Sequence, residues 1–467
     1  MKFSEYVKQT LQSDVANVKQ RKSQKEILQG YTVEEQGIPD ISEPYITFRA
    51  PDGKSFSLNK SLLSRHILLL GGIGVGKTNT FNHLIHELFK KDYSETKDNV
   101  TVIFDTKGDF FREFYSPGDI VIANNKEYLK TTFYWNIFED IQAAGDDAES
   151  QEMMCREIAK SLFSDRKSSS QPFFTNAAAD IFSKVLIHFL RVGRKYESEG
   201  KKIDILNNYE LIKFLQQANV QHFIKMCQRY QDFQGALSYF GDGSSNQALG
   251  VFGELSSMIN DYFIGVFAKK APEGKEFSMR KSIRGKGNLK IFIEYDLTVG
   301  ETLTPMYRLL IDLALKEALG RSHSAGDVYM IIDEFKLLPK LQHIDDALNF
   351  GRSLGIKVIA GIQNITQLYD IYGESRGAVI ASGFSNLFAF KTIDAESRDY
   401  VSKEFGKNYY SMSYFNSAGE FVDENREGHS IEEWELMELG IGQAVIGLAN
   451  YRPFYFSFEE YKSNRQG

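Results

Sequence analysis

The sequence lacks the features that mark secreted, fibrous and membrane-spanning proteins. Its 467 residues include only two cysteines, Cys155 and Cys227, and nine prolines. Two cysteines exclude a disulfide framework and favour a reducing compartment, and 42% hydrophobic residues with few prolines exclude fibrous and disordered classes. No apolar run approaches the roughly 18 residues of a membrane helix, and the N-terminus lacks the apolar core of a signal peptide. These absences predict a cytoplasmic globular protein.

Basic residues are also fewer than acidic ones. The chain has 55 Lys and Arg against 62 Asp and Glu, a net charge of −7. An acidic balance argues against a surface that coats nucleic acid broadly, but it permits a local basic channel. One candidate is the basic segment, residues 269–290. Positive charge alone suffices for contact with a nucleic-acid backbone, so the segment is either such a contact or a solvated charged loop.

Short apolar runs recur along most of the chain from His66 onward. They are about four to six residues long and nearly all apolar, as expected for parallel strands buried on both faces. The runs are Ile67–Leu70, Val100–Phe104, Ile120–Ile122, Val328–Ile332, Val358–Ile362, Leu387–Phe390 and Ala444–Leu448. Helical patterns lie between several of them, including Thr78–Phe89 and Ile344–Leu354. Strands that alternate with helices predict an α/β core around a mostly parallel central sheet.

The remaining segments predict a division into three parts. Residues 1–60 form an N-terminal arm, helical from Tyr6 to Lys25, followed by a β-hairpin around the turn at Pro51 to Gly53. Residues 146–268 have a run of helical patterns with no buried-strand signal and are predicted to be an inserted all-α domain. Residues 61–145 and 269–467 make up the α/β core.

The strongest motif runs from Gly71 to Thr78 and satisfies G-x-x-x-x-G-K-[ST], between an apolar strand and an amphipathic helix. Glycines let backbone N–H groups curl around phosphate oxygens, and the helix directs its positive dipole end at them. Lys77 is predicted to reach the β- and γ-phosphates, and the Thr78 hydroxyl to bind Mg²⁺. The predicted nucleotide-binding residues are Gly71, Gly72, Gly74, Gly76, Lys77 and Thr78.

A second motif, Asp327 to Glu334, is an apolar strand that ends in two acids. Asp333 is predicted to hold Mg²⁺ through water, and Glu334 to polarise the attacking water. The adjacent Asp-Glu pair favours an ATPase over a simple GTPase, and no N-K-x-D guanine signature is found. The sequence therefore predicts ATP and Mg²⁺ as cofactors, on an α/β fold with a RecA-like P-loop NTPase core.

Two weaker candidates complete the predicted catalytic set of Lys77, Glu334, Gln363 and Arg352. Gln363 follows the strand Val358–Ile362, where a glutamine can contact the γ-phosphate. Arg352 ends the preceding helix, and an arginine there can stabilise the transition state in a neighbouring subunit. Taken alone, Gln363 could be an ordinary loop residue and Arg352 an ordinary surface arginine.

Longer stretches carry a resemblance to a known family. Asp105-Thr106-Lys107-Gly108-Asp109 resembles the D-x-K-G-[DE] strand end of the TraD/TraG-type coupling ATPases of type IV secretion. The stretch from Ile332 to Gly355 resembles their second acidic motif, and Ile362 to Gly373 continues the similarity. Phe173 to Ala179 is similar to the start of their all-α domain. Residues 60–450 thus resemble the FtsK/HerA superfamily, and within it the coupling-protein branch.

The resemblance implies a homo-hexameric ring around DNA, with ATP sites between subunits. In that arrangement Gln363 senses phosphate, Arg352 acts across the interface, and the all-α domain reads relaxosome proteins or effectors. The implied function is a DNA-stimulated ATPase that feeds DNA, nucleoprotein or effector substrates to a type IV secretion or conjugative channel.

The sequence departs from the family in one respect, because residues 1–60 contain no membrane-spanning segment. The expectation is a cytoplasmic form without a membrane span, recruited to the inner face of the membrane by another membrane protein. Relaxosome or secretion-channel proteins are expected partners. Two alternatives remain open. One is a soluble HerA/FtsK-like ATPase of DNA processing or phage defence, and the other is a nucleotide-regulated substrate receptor that does not translocate.

Overall fold

The computed structural model describes residues 24–166, 172–241, 243, 245–320, 326–415 and 421–463. Sixteen strands lie within these residues. They are β1 (Gln24–Gln29), β2 (Ile46–Arg49), β3 (Ser55–Leu58), β4 (Ile67–Leu70), β5 (Val100–Asp105), β6 (Ile120–Ile122), β7 (Tyr134–Trp135), β8 (Glu276–Phe277), β9 (Leu289–Glu294), β10 (Val328–Ile332), β11 (Ile356–Ile362), β12 (Asn386–Phe390), β13 (Lys407–Phe415), β14 (Phe421–His429), β15 (Gln443–Gly447) and β16 (Phe454–Ser457).

Seventeen α-helices connect or flank these strands in the described part of the chain. They are α1 (Lys60–Leu63), α2 (Lys77–Phe89), α3 (Tyr93–Thr96), α4 (Asp109–Phe114), α5 (Ile137–Gln142), α6 (Ala148–Leu162), α7 (Pro172–Ser198), α8 (Asn208–Gln217), α9 (Val220–Arg229), α10 (Asn246–Tyr262), α11 (Met279–Gly285), α12 (Gly300–Leu319), α13 (Ile344–Leu354), α14 (Thr366–Tyr372), α15 (Glu374–Gly383), α16 (Ala395–Glu404) and α17 (Glu433–Glu438).

Nine strands form the central sheet, in the order β16-β15-β12-β4-β11-β10-β5-β9-β6. The seven strands from β12 to β6 are mutually parallel. Strands β4, β10, β11 and β12 are buried along their whole length. Helices cover both faces, as a buried parallel sheet requires. The predicted α/β fold with a mostly parallel sheet is confirmed.

Within the central sheet, the structure corrects the sequence-based strand assignment at one edge and in one strand. The run Ala444–Leu448 was expected to be parallel, but it forms β15, which pairs antiparallel with both β12 and β16. Strand β9 was not predicted, because Lys290 and Glu294 interrupt its apolar run. Strand β9 lies between β5 and β6, so neighbouring strands bury it although its sequence is not continuously apolar.

The hydrophobic side chains of β4 alternate between two buried layers, because successive residues of a strand point to opposite faces. Leu68 and Leu70 join the layer that contains α6 to α10 and α12. Ile67 and Leu69 join the opposite layer, which contains α2 and the β2–β3 hairpin. The sheet therefore lies between two hydrophobic cores and contributes side chains to both.

Helices α6 to α10 follow one another between β7 and β8, and the described residues within 146–268 contain no strand. Asp147, Asn207 and Asn219 cap three of these helices by accepting the backbone N–H of the third helical residue. Strands β7 and β8 pair in parallel and bring the two ends of the helical segment together. One continuous buried cluster joins these helices to the sheet, and the predicted division into domains stays a prediction.

Helix α7 is long and apolar enough to cross a membrane by length and composition, although 61% of its apolar window is buried inside the fold. Such burial is what a core helix of a globular domain shows. The helix predicted from Tyr6 to Lys25 lies mostly outside the described residues, and its last two positions, Gln24 and Lys25, belong to β1, which pairs with β13.

Candidate functional site

The loop from Gly71 to Thr78 connects β4 to α2 at the carboxyl edge of the parallel sheet. Gly74 and Gly76 have φ angles of 74° and 112°, a region that favours glycine. A Cβ on Gly76 would also lie 2.9 Å from the Cα of Gly442. Backbone conformation and close approach thus both require glycine at position 76, and the loop takes the curled form expected of a phosphate cradle.

Segments distant in the sequence support this loop. Gly71 donates its N–H to the carbonyl of Ile362 at 3.2 Å, and Gly72 donates to the carbonyl of Lys391 at 3.0 Å. Gly442 donates its own N–H to the carbonyl of Val75 within the loop, at 2.9 Å. The loop is therefore positioned by the ends of β11 and β12 and by the turn before β15.

The ammonium of Lys77 lies inside the curl of the loop. It donates hydrogen bonds to the carbonyl oxygens of Gly71 at 2.5 Å and Gly72 at 2.7 Å. Burial lowers the pKa of Lys77, and the two acids that follow β10 oppose that shift. Thr78, the second residue of α2, is half-buried beside it. The predicted lysine and threonine are thus side by side at the start of one helix.

The two acids, Asp333 and Glu334, follow β10 at the same edge of the sheet. The N–H of Asp333 donates to the carbonyl of Phe104 at 3.2 Å, and its Oδ2 accepts a hydrogen bond from the hydroxyl of Thr106 at 2.6 Å. Burial raises the pKa of Asp333, partly offset by that hydrogen bond. Asp333 and Glu334 are close enough to Lys77 to act on its charge, so the structure brings these three predicted residues together.

Gln363 joins the same group from the end of β11, the strand next to β10. Its Nε2 donates to Oε2 of Glu334 at 2.8 Å, while its own N–H donates to Oε1 of Gln367 at 3.1 Å. Among the described residues, Oε1 of Glu334 is buried and has no hydrogen-bond partner. The glutamine therefore orients the carboxylate, and one carboxylate oxygen is left to accept a proton from a further group.

The structure does not bring Arg352 to the other predicted residues of its own chain. Arg352 is exposed in the last turn of α13, which leads into the amino end of β11. Gln363 follows the carboxyl end of the same seven-residue strand. At about 3.3 Å per residue, the strand separates the two positions by roughly 20 Å. Arg352 thus lies on the edge of the sheet opposite the phosphate loop.

The turn after β5 belongs to the site and was not assigned a role from the sequence. Thr106 contacts Asp333 directly. The charge of Lys107 opposes the burial-driven rise in the pKa of Asp333 and adds to the burial-driven fall in the pKa of Lys77. The sequence signal was the D-x-K-G stretch itself, but its link to the second acid depends on β5 and β10 being neighbours.

Most of the charge in the basic segment is already used within the chain. Ion pairs and contacts with aromatic rings engage six of its basic residues. These pairs are Lys270–Asp204, Lys281–Glu139, Arg280–Glu317 and Arg284–Glu317, with Lys275 over the ring of Phe133 and Lys290 over the ring of Phe89. The charged partners lie in the helical segment, on α5 and on α12, so the basic segment ties these elements together, while the side chains of Lys270, Lys281 and Arg284 stay more than half exposed.

The residues present fit a magnesium nucleotide. The curled loop exposes backbone N–H groups and an ammonium at a helix N-terminus, which is the donor set that phosphates take. The hydroxyl of Thr78 and the carboxylate of Asp333 are oxygen ligands of the type that Mg²⁺ prefers. The buried Oε1 of Glu334, which has no hydrogen-bond partner in the described part of the chain, is an acceptor suited to a water proton. The arrangement can therefore bind a polyphosphate and deprotonate a nucleophile next to it.

The comparisons with known proteins agree with one another. Residues 54–433 match the family described as the type IV secretion-system coupling protein DNA-binding domain. Coupling protein TraD of Escherichia coli (strain K12) is 20% identical over 397 residues, which cover 83% of this chain and 50% of TraD. The chain thus spans about half the length of this curated relative.

Solved structures of the plasmid coupling protein TrwB share the fold. The complex with the non-hydrolysable ATP analogue ADPNP has a TM-score of 0.70 at 19% identity and covers 96% of this chain and 97% of that one. The complex with ADP and Mg²⁺ has a TM-score of 0.68 at 20% identity, with the same coverage. Since the family match extends over most of the sequence, the chain belongs to the type IV secretion-system coupling protein DNA-binding domain family.

Proposed function

We propose that this protein is a DNA-stimulated ATPase that couples ATP hydrolysis to the delivery of DNA, or of a nucleoprotein or effector substrate, to a type IV secretion or conjugative channel. The observation that carries the proposal is the convergence of Lys77, Asp333, Glu334 and Gln363 at one edge of the sheet. Membership of a family described as a DNA-binding domain supports the proposed action on DNA. The similarity to coupling protein TraD supports the proposed delivery of substrates to a channel.

Each residue has a defined task in the proposed reaction. The curled loop and Lys77 bind the β- and γ-phosphates, and Thr78 and Asp333 hold the Mg²⁺ that neutralises phosphate charge. Glu334 accepts the proton of the attacking water through Oε1, which no described residue engages. Gln363 fixes the other oxygen of that carboxylate. ATP and Mg²⁺ are thus the proposed cofactors, in line with the TrwB complexes with ADPNP and with ADP and Mg²⁺.

The proposed assembly is a homo-hexameric ring with ATP sites between subunits. The location of Arg352 supports it, since the exposed arginine is on the edge opposite its own phosphate loop and is accessible to a neighbouring subunit. A ring also suits a chain of net charge −7, because DNA contact is then confined to the pore. Two buried free cysteines agree with a cytoplasmic location.

The proposal is tested by ATP hydrolysis with and without DNA. Lys77→Ala and Glu334→Gln are each expected to lower the rate at least about 100-fold, because one removes phosphate binding and the other the general base. Glu334→Gln should still bind ATP within a few-fold of the wild type. Hydrolysis measured by phosphate release and ATP binding measured by a fluorescent analogue give the two readings.

The same assay tests one of the alternatives. Wild-type hydrolysis that rises several-fold with DNA supports a DNA-coupled ATPase, whether it serves a transfer channel or DNA processing, whereas ATP binding without DNA stimulation supports a nucleotide-regulated receptor. Wild-type rates in both variants would refute the assigned site. An exposed residue away from the site, Glu438 on α17, gives the matched control, since Glu438→Gln should leave both readings unchanged.

A further inference from the structure

The D-x-K-G turn, residues 105–108, is built with more support than an ordinary loop. The Asp105 side chain is only 1% exposed. Its Oδ1 accepts the N–H groups of Lys107 at 3.1 Å and Gly108 at 2.9 Å, and its Oδ2 accepts those of Phe110 at 2.8 Å and Phe111 at 3.0 Å. Four backbone donors on one buried carboxylate leave the turn little freedom.

Gly108 closes this turn in a conformation that other residues avoid. Its φ is 69°, and a Cβ there would lie 2.4 Å from the hydroxyl of Tyr128 and 3.4 Å from Oε2 of Glu294. The backbone of the turn is thus pressed against side chains from β9 and from the segment after β6. Its shape is set by neighbours as well as by Asp105.

Thr106 is the residue whose side chain this turn presents to the hydrolytic site. It is 6% exposed, and its hydroxyl donates to Oδ2 of Asp333 at 2.6 Å. Strands β5 and β10 are paired up to Phe104 and Ile332, so the backbones on both sides of this hydrogen bond are held in register. A hydrogen bond to an ionised carboxylate is roughly twice as strong as one between neutral groups.

We propose that Thr106 is a positioning residue for Asp333: its hydroxyl holds Oδ2, so that Oδ1 is left for the Mg²⁺ that Asp333 would hold through water. The inference rests on the proposed function, because it concerns the same nucleotide site. In this arrangement the Asp105 carboxylate fixes the backbone of the turn, and the turn fixes the position of the Thr106 side chain. The Thr106 hydroxyl then fixes the rotation of the Asp333 carboxylate. The order of effects predicts a defect in Mg²⁺ use and not in phosphate binding.

The test compares Thr106→Val, which keeps the shape and removes the hydroxyl, with Thr106→Ser, which keeps the hydroxyl. Binding of a fluorescent ADP analogue is measured without Mg²⁺ and during a Mg²⁺ titration. For Thr106→Val we expect Mg²⁺-free affinity within twofold of the wild type and a midpoint for Mg²⁺ raised about tenfold, the size of one lost hydrogen bond to a charged group. Thr106→Ser should match the wild type within about twofold.

A wild-type Mg²⁺ midpoint in Thr106→Val, or equal defects in the valine and serine variants, would overturn the inference. Thr106→Ala provides a second variant with less side-chain volume, should valine prevent folding, and circular dichroism reports folding of all three. Failure of the wild type to bind the ADP analogue would instead refute the proposed function. The two failures are therefore distinguishable in one set of titrations.

Discussion

At the scale of single residues, the row of carboxylates at the carboxyl edge of the sheet is the most consequential feature. Glu294, Asp105 and Asp333 follow or end β9, β5 and β10, three neighbouring strands. Burial raises the pKa of each, most strongly that of Glu294, whose shift the charge of Asp105 increases. Asp105 is compensated by four backbone donors, whereas Oε1 of Glu294 is buried without a partner among the described residues.

We predict that Glu294→Gln stabilises the protein at alkaline pH more than at acidic pH. The pKa of Glu294 is raised in the folded state, so its cost to stability is absent below the unfolded pKa and grows as pH rises towards the folded pKa. A neutral amide removes that cost. Thermal unfolding at pH 5 and pH 8 should give a larger gain at pH 8, and Glu438→Gln on exposed α17 should show no such difference. An equal gain at both pH values would contradict the explanation.

At the scale of elements, the close approach of β11 to the residues after β10 depends on a glycine. A Cβ on Gly361 would lie 2.3 Å from the carbonyl oxygen of Asp333 and 3.2 Å from the ring of Phe81. The strand can therefore place Gln363 against Glu334 only because position 361 has no side chain.

We predict that Gly361→Ala destabilises the protein by about 1 to 3 kcal/mol, the range for overpacking a core, and reduces ATP hydrolysis. Gly253→Ala is the matched control, since Gly253 lies in the interior of α10 and no described atom beyond its own helix backbone lies within 4 Å of its Cβ position. That variant should gain about 0.5 to 1 kcal/mol from helix propensity. Urea unfolding measures both, and equal effects would refute the packing argument.

A second connection at this scale joins the helical segment to the helix that carries Arg352. Glu157 on α6 forms an ion pair with Lys316 on α12 and contacts Nε2 of His343 at 3.3 Å, at the start of α13. Burial would raise the pKa of Glu157, but these two partners outweigh it and lower the pKa to about 2. One carboxylate therefore holds three helices together.

We predict that Glu157→Gln costs about 1 to 3 kcal/mol of stability at pH 7, the value of hydrogen bonds to a charged group. Because the folded pKa is depressed, this contribution is present above the unfolded pKa of about 4.5 and is lost as pH falls towards about 2. Urea unfolding from pH 7 down to pH 3 should show the wild type and the variant converging. A difference that stays constant over this range would contradict the assignment.

Contacts between elements determine how much of the site could be predicted from the sequence alone. The phosphate loop and the acidic strand end are each a single continuous stretch of sequence. The residue spacing within each stretch is therefore enough to identify Lys77 and Glu334 as site residues. The contacts of Thr106 with Asp333 and of Gly442 with the loop join residues more than 200 positions apart, and only the strand order brings them together. Strands β13 and β14 are polar hairpin strands without an apolar run, which is why periodicity did not reveal them.

At the scale of the whole molecule, the separation of Arg352 from the phosphate loop leads to a test by subunit mixing. Lys77→Ala and Arg352→Ala are each expected to be inactive. Mixed together, they should regain roughly a quarter of the wild-type rate, since one in four random neighbours pairs an intact loop with an intact arginine across a head-to-tail interface. Phosphate release measured after mixing checks this.

The control is a mixture of Lys77→Ala and Glu334→Gln. Both changes lie on the same face of the site, so no neighbour can supply the missing group, and the mixture should stay inactive. Full activity of Arg352→Ala alone, or no recovery in its mixture with Lys77→Ala, would exclude action between subunits.

The support that the phosphate loop receives from late parts of the chain has a consequence for biosynthesis. Synthesis of the loop is complete once residue 78 has been added. The strands next to β4, which are β11 and β12, and the loop's contact Gly442 are synthesised some 280 to 360 residues later. At about 5 to 20 residues per second, this delay is on the order of 15 to 70 seconds. During that time β4 has an exposed apolar edge and no nucleotide site, so the nascent protein must stay soluble without help from its own ligand.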